Sequence, residues 1–302
     1  MSVAVVAHAG KTFGGGLPEL RRLLAAAGVS HPLWREVPKS KKAPREVERL
    51  LKKGADHFIV WGGDGMVQRC VDVLAGTKAA LAVVPAGTSN LFATNLGIRK
   101  DIEQAVDVAL HGDRRRLDVG RFNGERFAVM AGAGFDAAMI NGASGGLKDR
   151  LGRAAYVLTG AASLNGEPFA AKIKVDGVGW YDGPASCVLL GNVGELFGGI
   201  EVFEDAEPDD GLLDLGVVTA EGPVAMARTV VRTAVGTAHK SPFVRVTKAR
   251  SVKVKLDRKV RYELDGGDRS KVTSFTVDVD PGAVTVCVPR RVPTTRKAKG
   301  TR

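Results

Sequence analysis

Trp61-Gly62-Gly63-Asp64-Gly65-Met66 ends the apolar run His57-Phe58-Ile59-Val60, and Val67-Gln68-Arg69-Cys70-Val71-Asp72-Val73-Leu74 continues at helical spacing. The stretch reads as a strand, a glycine turn and a helix beginning near Val67. Glycine lets backbone N–H groups approach a ligand closely and reach positive φ. A helix start adds unpaired donors, so the junction suits phosphate. The single acid among the glycines makes sense beside a divalent cation or a reacting hydroxyl. A tight strand-to-helix turn with a capping Asp is the competing interpretation.

Strand and helix patterns alternate around this junction. Val3–Ala7 is an apolar strand, Leu17–Ala27 a helix closed by Gly28, and Pro32–Val37 a second strand. Pro44–Lys53 forms a helix ending at Gly54, Ala80–Val84 a strand, and Ile102–Leu110 a helix. Such alternation specifies a doubly wound parallel sheet, whose ligands bind beyond the carboxyl ends of the strands. The turn after Trp61 and Pro85-Ala86-Gly87-Thr88-Ser89-Asn90 after Val84 both lie at such ends.

From Asp118 the pattern changes to short alternating runs. These are Phe127–Met130, Ala171–Val175, Ser186–Leu190, Leu213–Val218, Val252–Leu256, Thr273–Val279 and Val284–Val288. Asp-Gly and Pro-Gly turns separate them, as in an antiparallel sandwich. Helices over Lys148–Leu164 and Pro223–Val235 interrupt the series. The fold class is α/β plus β: residues 1–117 form an α/β nucleotide domain, completed by 284–292, and residues 118–283 a β-sandwich domain.

At 302 residues, 44% of them hydrophobic and 25% charged, the chain is long enough to bury a core. No apolar run approaches the roughly 20 residues of a membrane span. The N-terminus reads as a first strand and not a signal peptide. Cys70, Cys187 and Cys287 are odd in number and set in apolar surroundings, which suits reduced core thiols in a cytoplasmic protein. Of the net charge of +11, six cations and no acid fall in residues 290–302. Residues 293–302 read as a basic, solvated tail suited to anionic lipid headgroups at the inner face of a membrane. The aromatic–basic interleaving of a nucleic-acid binder is missing.

Four further stretches bear on chemistry. His8-Ala9-Gly10-Lys11-Thr12 suggests a Walker A loop, but that motif needs glycine where Val5 stands. Backbone donors and Lys11 could still hold phosphate, or the loop is an ordinary βα turn. Gly132-Ala133-Gly134-Phe135-Asp136-Ala137 matches a dinucleotide fingerprint only superficially and reads as structural. Glu207-Pro208-Asp209-Asp210-Gly211-Leu212-Leu213-Asp214 is either a solvated acidic hairpin or a hard-cation site. Tyr262-Glu263-Leu264-Asp265-Gly266-Gly267-Asp268 reads as a glycine-assisted hairpin. The five histidines show no metal-ligand spacing.

Taken together and in this order, these motifs resemble the diacylglycerol kinase catalytic family, and more narrowly the bacterial soluble lipid kinases related to sphingosine kinases. The resemblance runs to about Pro289. Gly-Gly-Asp-Gly alone is shared with NAD kinases and phosphofructokinases, and the Asp-Gly-Leu-Leu-Asp turn in a long β-rich second half favours a lipid kinase. It implies an N-terminal ATP-binding domain and a β-sandwich that accepts lipid. His8, Ala9, Gly10, Lys11, Thr12, Ser40, Gly62, Gly63, Asp64, Gly65, Met66, Gly87, Thr88 and Asn90 then fall at the nucleotide. The family's magnesium loop maps to Glu207, Asp210 and the carbonyl of Leu212.

The chain departs from the family at three places. His8-Ala9 stands for Asn-Pro, and Met66 for a threonine. Gly267 stands for a glutamate that serves as proton acceptor, which leaves Asp265 or Asp268 to replace it, with Asp64 as the other catalytic acid. The resemblance implies in-line transfer of the ATP γ-phosphoryl group, with Mg²⁺, to a lipid hydroxyl, most simply that of diacylglycerol. Phosphorylation of a soluble acceptor such as NAD is one alternative, and an inactive lipid- or nucleotide-binding regulator is another. The sequence leaves the oligomeric state open, a homodimer included.

Overall fold

Branched apolar side chains fill Val3–His8 (β1), His57–Gly62 (β3) and Ala80–Pro85 (β4), and nearly all of them are buried. Strands covered on both faces take this composition. In the computed structural model, which describes residues 1–134, 168–196, 200–219 and 241–290, they pair in parallel with Leu33–Val37 (β2) in the order β2-β1-β3-β4. The connecting helices are Gly16–Ala26 (α1), Ala43–Lys52 (α2), Asp64–Leu74 (α3), Leu91–Asn95 (α4) and Ile102–His111 (α5). α1 packs with α5, and α2 with α3. Asp101 caps α5 by accepting the Gln104 N–H at 2.8 Å.

The second half contributes Asp113–Phe122 (β5), Glu125–Phe127 (β6), Met130–Ala133 (β7), Phe169–Val175 (β8), Val178–Ala185 (β9) and Cys187–Gly191 (β10). Glu195–Leu196 (β11) and Ile200–Glu201 (β12) form a separate small ribbon. Leu213–Val218 (β13), Val244–Ala249 (β14), Ser251–Leu264 (β15) and Gly267–Val288 (β16) complete it. Pairing here is antiparallel, apart from one join. Thr285 and Val286 of β16 run parallel to Ala80 and Leu81 of β4. Through β16 the two halves share one continuous sheet, which has fourteen strands among the described residues. Two apolar clusters form the core; the first, centred on the parallel strands, also takes in Val284 and Val286 of β16 and Met130, Leu189 and Phe203 of the second half.

Two expectations need correction. β16 runs unbroken through the stretches read as separate strands, Thr273–Val279 and Val284–Val288. The pause at Asp280-Pro281-Gly282 is a register shift against β5, where Gly282 takes a φ of +54°. Second, α3 begins at Asp64 and not Val67. The ladder with β4 runs to Gly62–Pro85, so Gly63 alone makes the turn and Asp64 enters the first helical turn. The expected helices at 148–164 and 223–235 and the tail lie outside the described residues, as does half of the 132–137 match. Cys70, Cys187 and Cys287 are free and buried, and burial pushes the Cys70 thiol up to about 12.

Candidate active site

Two glycine turns meet at the carboxyl ends of β3 and β4. A Cβ on Gly87 would fall 2.5 Å from the Gly63 Cα, so neither position admits a side chain without parting the turns. Asn90, itself in the left-handed region at φ +51°, braces the second turn. Its Oδ1 accepts the Gly87 N–H at 2.8 Å and its Nδ2 donates to the Gly87 carbonyl at 2.9 Å. Met66 is buried beneath Gly62, where a Cβ would come within 2.6 Å of it.

Asp64 lies at the N-terminus of α3, where the helix favours a negative charge. One carboxylate oxygen accepts the Phe92 N–H at 3.1 Å, which ties α3 to α4. Burial raises its pKa, against the pull of the backbone amides from Asn90 to Phe92. The first loop is pinned from below: Trp61 Nε1 donates to the Lys11 carbonyl at 3.2 Å. His8 Nδ1 accepts the Gly10 N–H at 3.1 Å, and burial followed by the nearby Lys11 lowers the His8 pKa.

The opposite wall comes from the β15–β16 hairpin. Asp265 (φ +46°) and Gly266 (φ +77°) form its two-residue turn between Leu264 and Gly267, the backbone that Asp-Gly favours in a hairpin. The Asp265 carboxylate turns inward. Oδ2 accepts the Ala128 N–H at 2.8 Å, and Oδ1 accepts those of Val129 and Met130, both at 2.9 Å. Burial pushes its pKa up to about 7 against these three amides, and the charge of Asp64 adds to the rise. The two acids therefore sense each other across the cleft.

This cleft, of about 270 Å³, brings together His8, Lys11, Ser40, Gly63, Asp64, Gly65, Met66, Gly87, Thr88 and Asp265 from the expected set. Ala9, Gly10, Thr12, Gly62 and Asn90 support its loops without lining it. Asp268 does not reach the cleft: next along the strand after Gly267, it is exposed and lies 3.7 Å from Arg261. Gln68, Arg69, Ser89, Leu264, Gly266, Gly267 and Arg269 also line the cleft and were missed. Two spacings hold the signal for most of them. Residues 64, 65, 68 and 69 share a helix face, and 267 and 269 a strand face.

The acidic loop is a separate place. Glu207, Asp210 and Leu212 do not line the cleft. Asp210 Oδ1 accepts the Leu212 N–H at 2.9 Å, and Oδ2 takes Lys248 Nζ at 2.9 Å. The same ammonium reaches the Asp205 carbonyl at 2.7 Å and Asp214 Oδ2 at 3.3 Å. Asp209 pairs with Arg115. Burial opposes the charge on Lys248, but its bond to Asp210 and the charges of Asp214 and Asp210 raise its pKa overall. A protein cation thus holds Asp210, one of the three expected Mg²⁺ ligands, together with Asp214 and the Asp205 carbonyl. Among the described residues no cluster of three or more His, Cys, Asp or Glu forms a metal site, and no helix is long and apolar enough to cross a membrane.

Comparison with known proteins gives the same architecture. Residues 3–122 match the diacylglycerol kinase catalytic domain, and residues 129–288 the YegS C-terminal NAD kinase beta sandwich-like domain. A probable lipid kinase YegS-like protein of Pseudomonas syringae pv. tomato is 32% identical over 263 residues, 83% of this chain and 82% of its own. A diacylglycerol kinase of Bacillus subtilis is 32% identical over 215 residues, 70% and 71% of the two chains. The crystal structure of a diacylglycerol kinase from Bacillus anthracis str. Sterne superposes with a TM-score of 0.74 at 23% identity, covering 95% of this chain and 96% of that one. An NAD kinase from Archaeoglobus fulgidus shares the fold at a TM-score of 0.51 and 11% identity, covering 95% and 93%. By sequence along both halves and by fold throughout, the chain belongs to the diacylglycerol kinase catalytic family, among its YegS-like lipid kinases.

Proposed function

We propose that the protein transfers the γ-phosphoryl group of ATP to the hydroxyl of a membrane lipid, diacylglycerol being the simplest acceptor. The observation that carries this reading is the cleft itself. It sets two glycine turns and Lys11, which suit a polyphosphate, opposite a buried acid on the second half's hairpin. Phosphoryl transfer passes through a loose transition state, so positioning and charge neutralisation are the main demands.

In this reading the backbone donors at Gly63–Gly65 and Thr88, with Lys11, hold the nucleotide phosphates. Asp64, which lines the cleft beside those turns, would be the residue to hold a Mg²⁺ ion, and the ion would supply neutralisation of phosphate charge. Asp265 lines the cleft, and its Oδ2 accepts one amide N–H against two at Oδ1, which leaves Oδ2 the better placed to take the acceptor proton. With its pKa raised to about 7, the carboxyl suits proton acceptance near neutral pH. Asp268, exposed and paired with Arg261, is left out of the mechanism. The basic tail would hold the protein at an anionic lipid surface.

The test is radiolabelled ATP with Mg²⁺ and mixed lipid vesicles, comparing wild type with Asp64→Asn, which retains an acceptor for the Phe92 N–H. We expect a labelled lipid from wild type and none from the variant at unchanged melting temperature. Label appearing on a soluble acceptor without vesicles, or nucleotide binding with no labelled product, would overturn the lipid-kinase reading.

A further inference from the structure

Three long cationic side chains line the cleft, and they are not equivalent. Arg269 is held by Glu125 and by the Gly267 carbonyl. Lys11 belongs to the phosphate-facing first loop. Arg69 stands on α3, one turn beyond Gly65 on the same face, and its Nε is buried without a hydrogen-bond partner. No described residue forms an ion pair with it. Its neighbour Gln68 donates to the Arg126 carbonyl at 2.6 Å, which fixes this turn of the helix against the second half. Arg69 is thereby placed between the glycine turns and the hairpin that carries Asp265.

A buried guanidinium N–H with no acceptor is costly, and the cost is recovered when a ligand brings oxygen atoms to it. Guanidinium is a planar fork that matches phosphate oxygens in pairs. The nearby Met66 offers no donor, because a thioether has none, and its side chain is buried against Gly62. A cation one turn further along the helix supplies what that position lacks.

We propose that Arg69 binds the oxygens of the phosphoryl group during transfer, a role that rests on the kinase reading above. In that step the bond from the γ-phosphorus to the bridging oxygen breaks and a bond to the acceptor oxygen forms. The acceptor proton passes to Asp265 and ADP leaves. Arg69 stays protonated and offsets charge on the oxygens of the group in flight.

The test compares wild type with Arg69→Gln, Arg69→Lys and Arg69→Ala in steady-state lipid phosphorylation, with melting temperature and ADP binding measured for each. For Arg69→Gln we expect kcat to fall about 10²-fold, the scale of losing one preorganised donor. KM for ATP and ADP affinity should change little. Arg69→Lys should be intermediate, and added guanidinium ion should restore part of the Arg69→Ala rate. Wild-type kcat in Arg69→Gln, or a loss that follows melting temperature, overturns the role of Arg69 and leaves the kinase reading intact. If wild type labels no lipid, the kinase reading itself fails. The role assigned to Arg69 then falls with it.

Discussion

Arg269 Nη1 stands where a side chain at residue 267 would begin: a Cβ on Gly267 would lie 2.7 Å from it. The same nitrogen donates to the Gly267 carbonyl at 2.9 Å, while Nε reaches both oxygens of Glu125, at 3.1 and 3.0 Å. The acid expected at 267 is therefore not merely missing. A guanidinium fills its place and is anchored from β6.

This predicts strong coupling between the two positions. Gly267→Glu alone must shift Arg269 off its bonds to Glu125 and the Gly267 carbonyl and should cost about 1 kcal/mol, the scale of such bonds. In an Arg269→Ala background the same change should cost much less. Urea denaturation of the four proteins in the cycle checks this, and additive effects would contradict it.

Asp265 is a structural clamp as well as a candidate base. Asp265→Ala leaves the amides of Ala128, Val129 and Met130 without their acceptor and should destabilise by about 3 kcal/mol or more. Asp265→Asn keeps one acceptor oxygen and tolerates the positive φ, so it should cost less. Both should lose lipid phosphorylation; Asp265→Asn, still folded at assay temperature, separates the chemical loss from the structural one.

Lys248, held between Asp210 and Asp214, is expected to make the acidic loop independent of divalent ions. The melting temperature of wild type should be indifferent to EDTA or millimolar Mg²⁺ in the absence of nucleotide. Lys248→Met leaves Asp210 and Asp214 without their shared cation and should cost about 1 to 2 kcal/mol. Part of that loss should return when Mg²⁺ or Ca²⁺ is added. Thermal denaturation with and without each ion decides the matter, and a wild-type response to EDTA would count against the lysine-held loop.

His57 is fully buried, and Arg114 Nη2 lies 3.3 Å from its Nδ1. Burial, then the Arg114 charge, lowers its pKa to about 4, with Asp56 pulling the other way. The unfolded chain takes up this proton near pH 6.5 and the folded one only near 4. The contribution is therefore present above pH 6.5 and is lost as pH falls toward 4. Between pH 7.5 and 4.5 wild type should lose about 2 to 3 kcal/mol relative to His57→Asn. Comparing the pair cancels the raised acids Asp64, Asp214 and Asp265, whose contributions run in the opposite direction. Parallel denaturation curves at the two pH values would sink the assignment.

Turn chemistry is local, which is why the glycine turns at 62–65 and 87–90 and the Asp265-Gly266 reversal could be read from the chain. Glycine and Asp-Gly have few backbone alternatives at such places. Arg69 and Arg269 could not be assigned the same way. A long side chain goes where packing sends it, and their orientations depend on α3 lying against β6 and on Glu125. The acid density at 207–214 suggested a cation without saying which. Lys248 enters from 34 residues beyond Asp214, opposite it in the β13–β14 ladder.

The sequence alone determined the α/β and β halves, the two glycine turns and the presence of Asp64 beside them. These follow from hydrophobic periodicity and turn preference, which act over a few residues. The tertiary structure decided the rest. β16 joins both halves into one sheet and so faces the Asp265 turn toward the phosphate loops, while Asp268 and the acidic loop stay outside. Which groups meet in a cleft depends on long-range strand pairing and burial, and no local pattern encodes either.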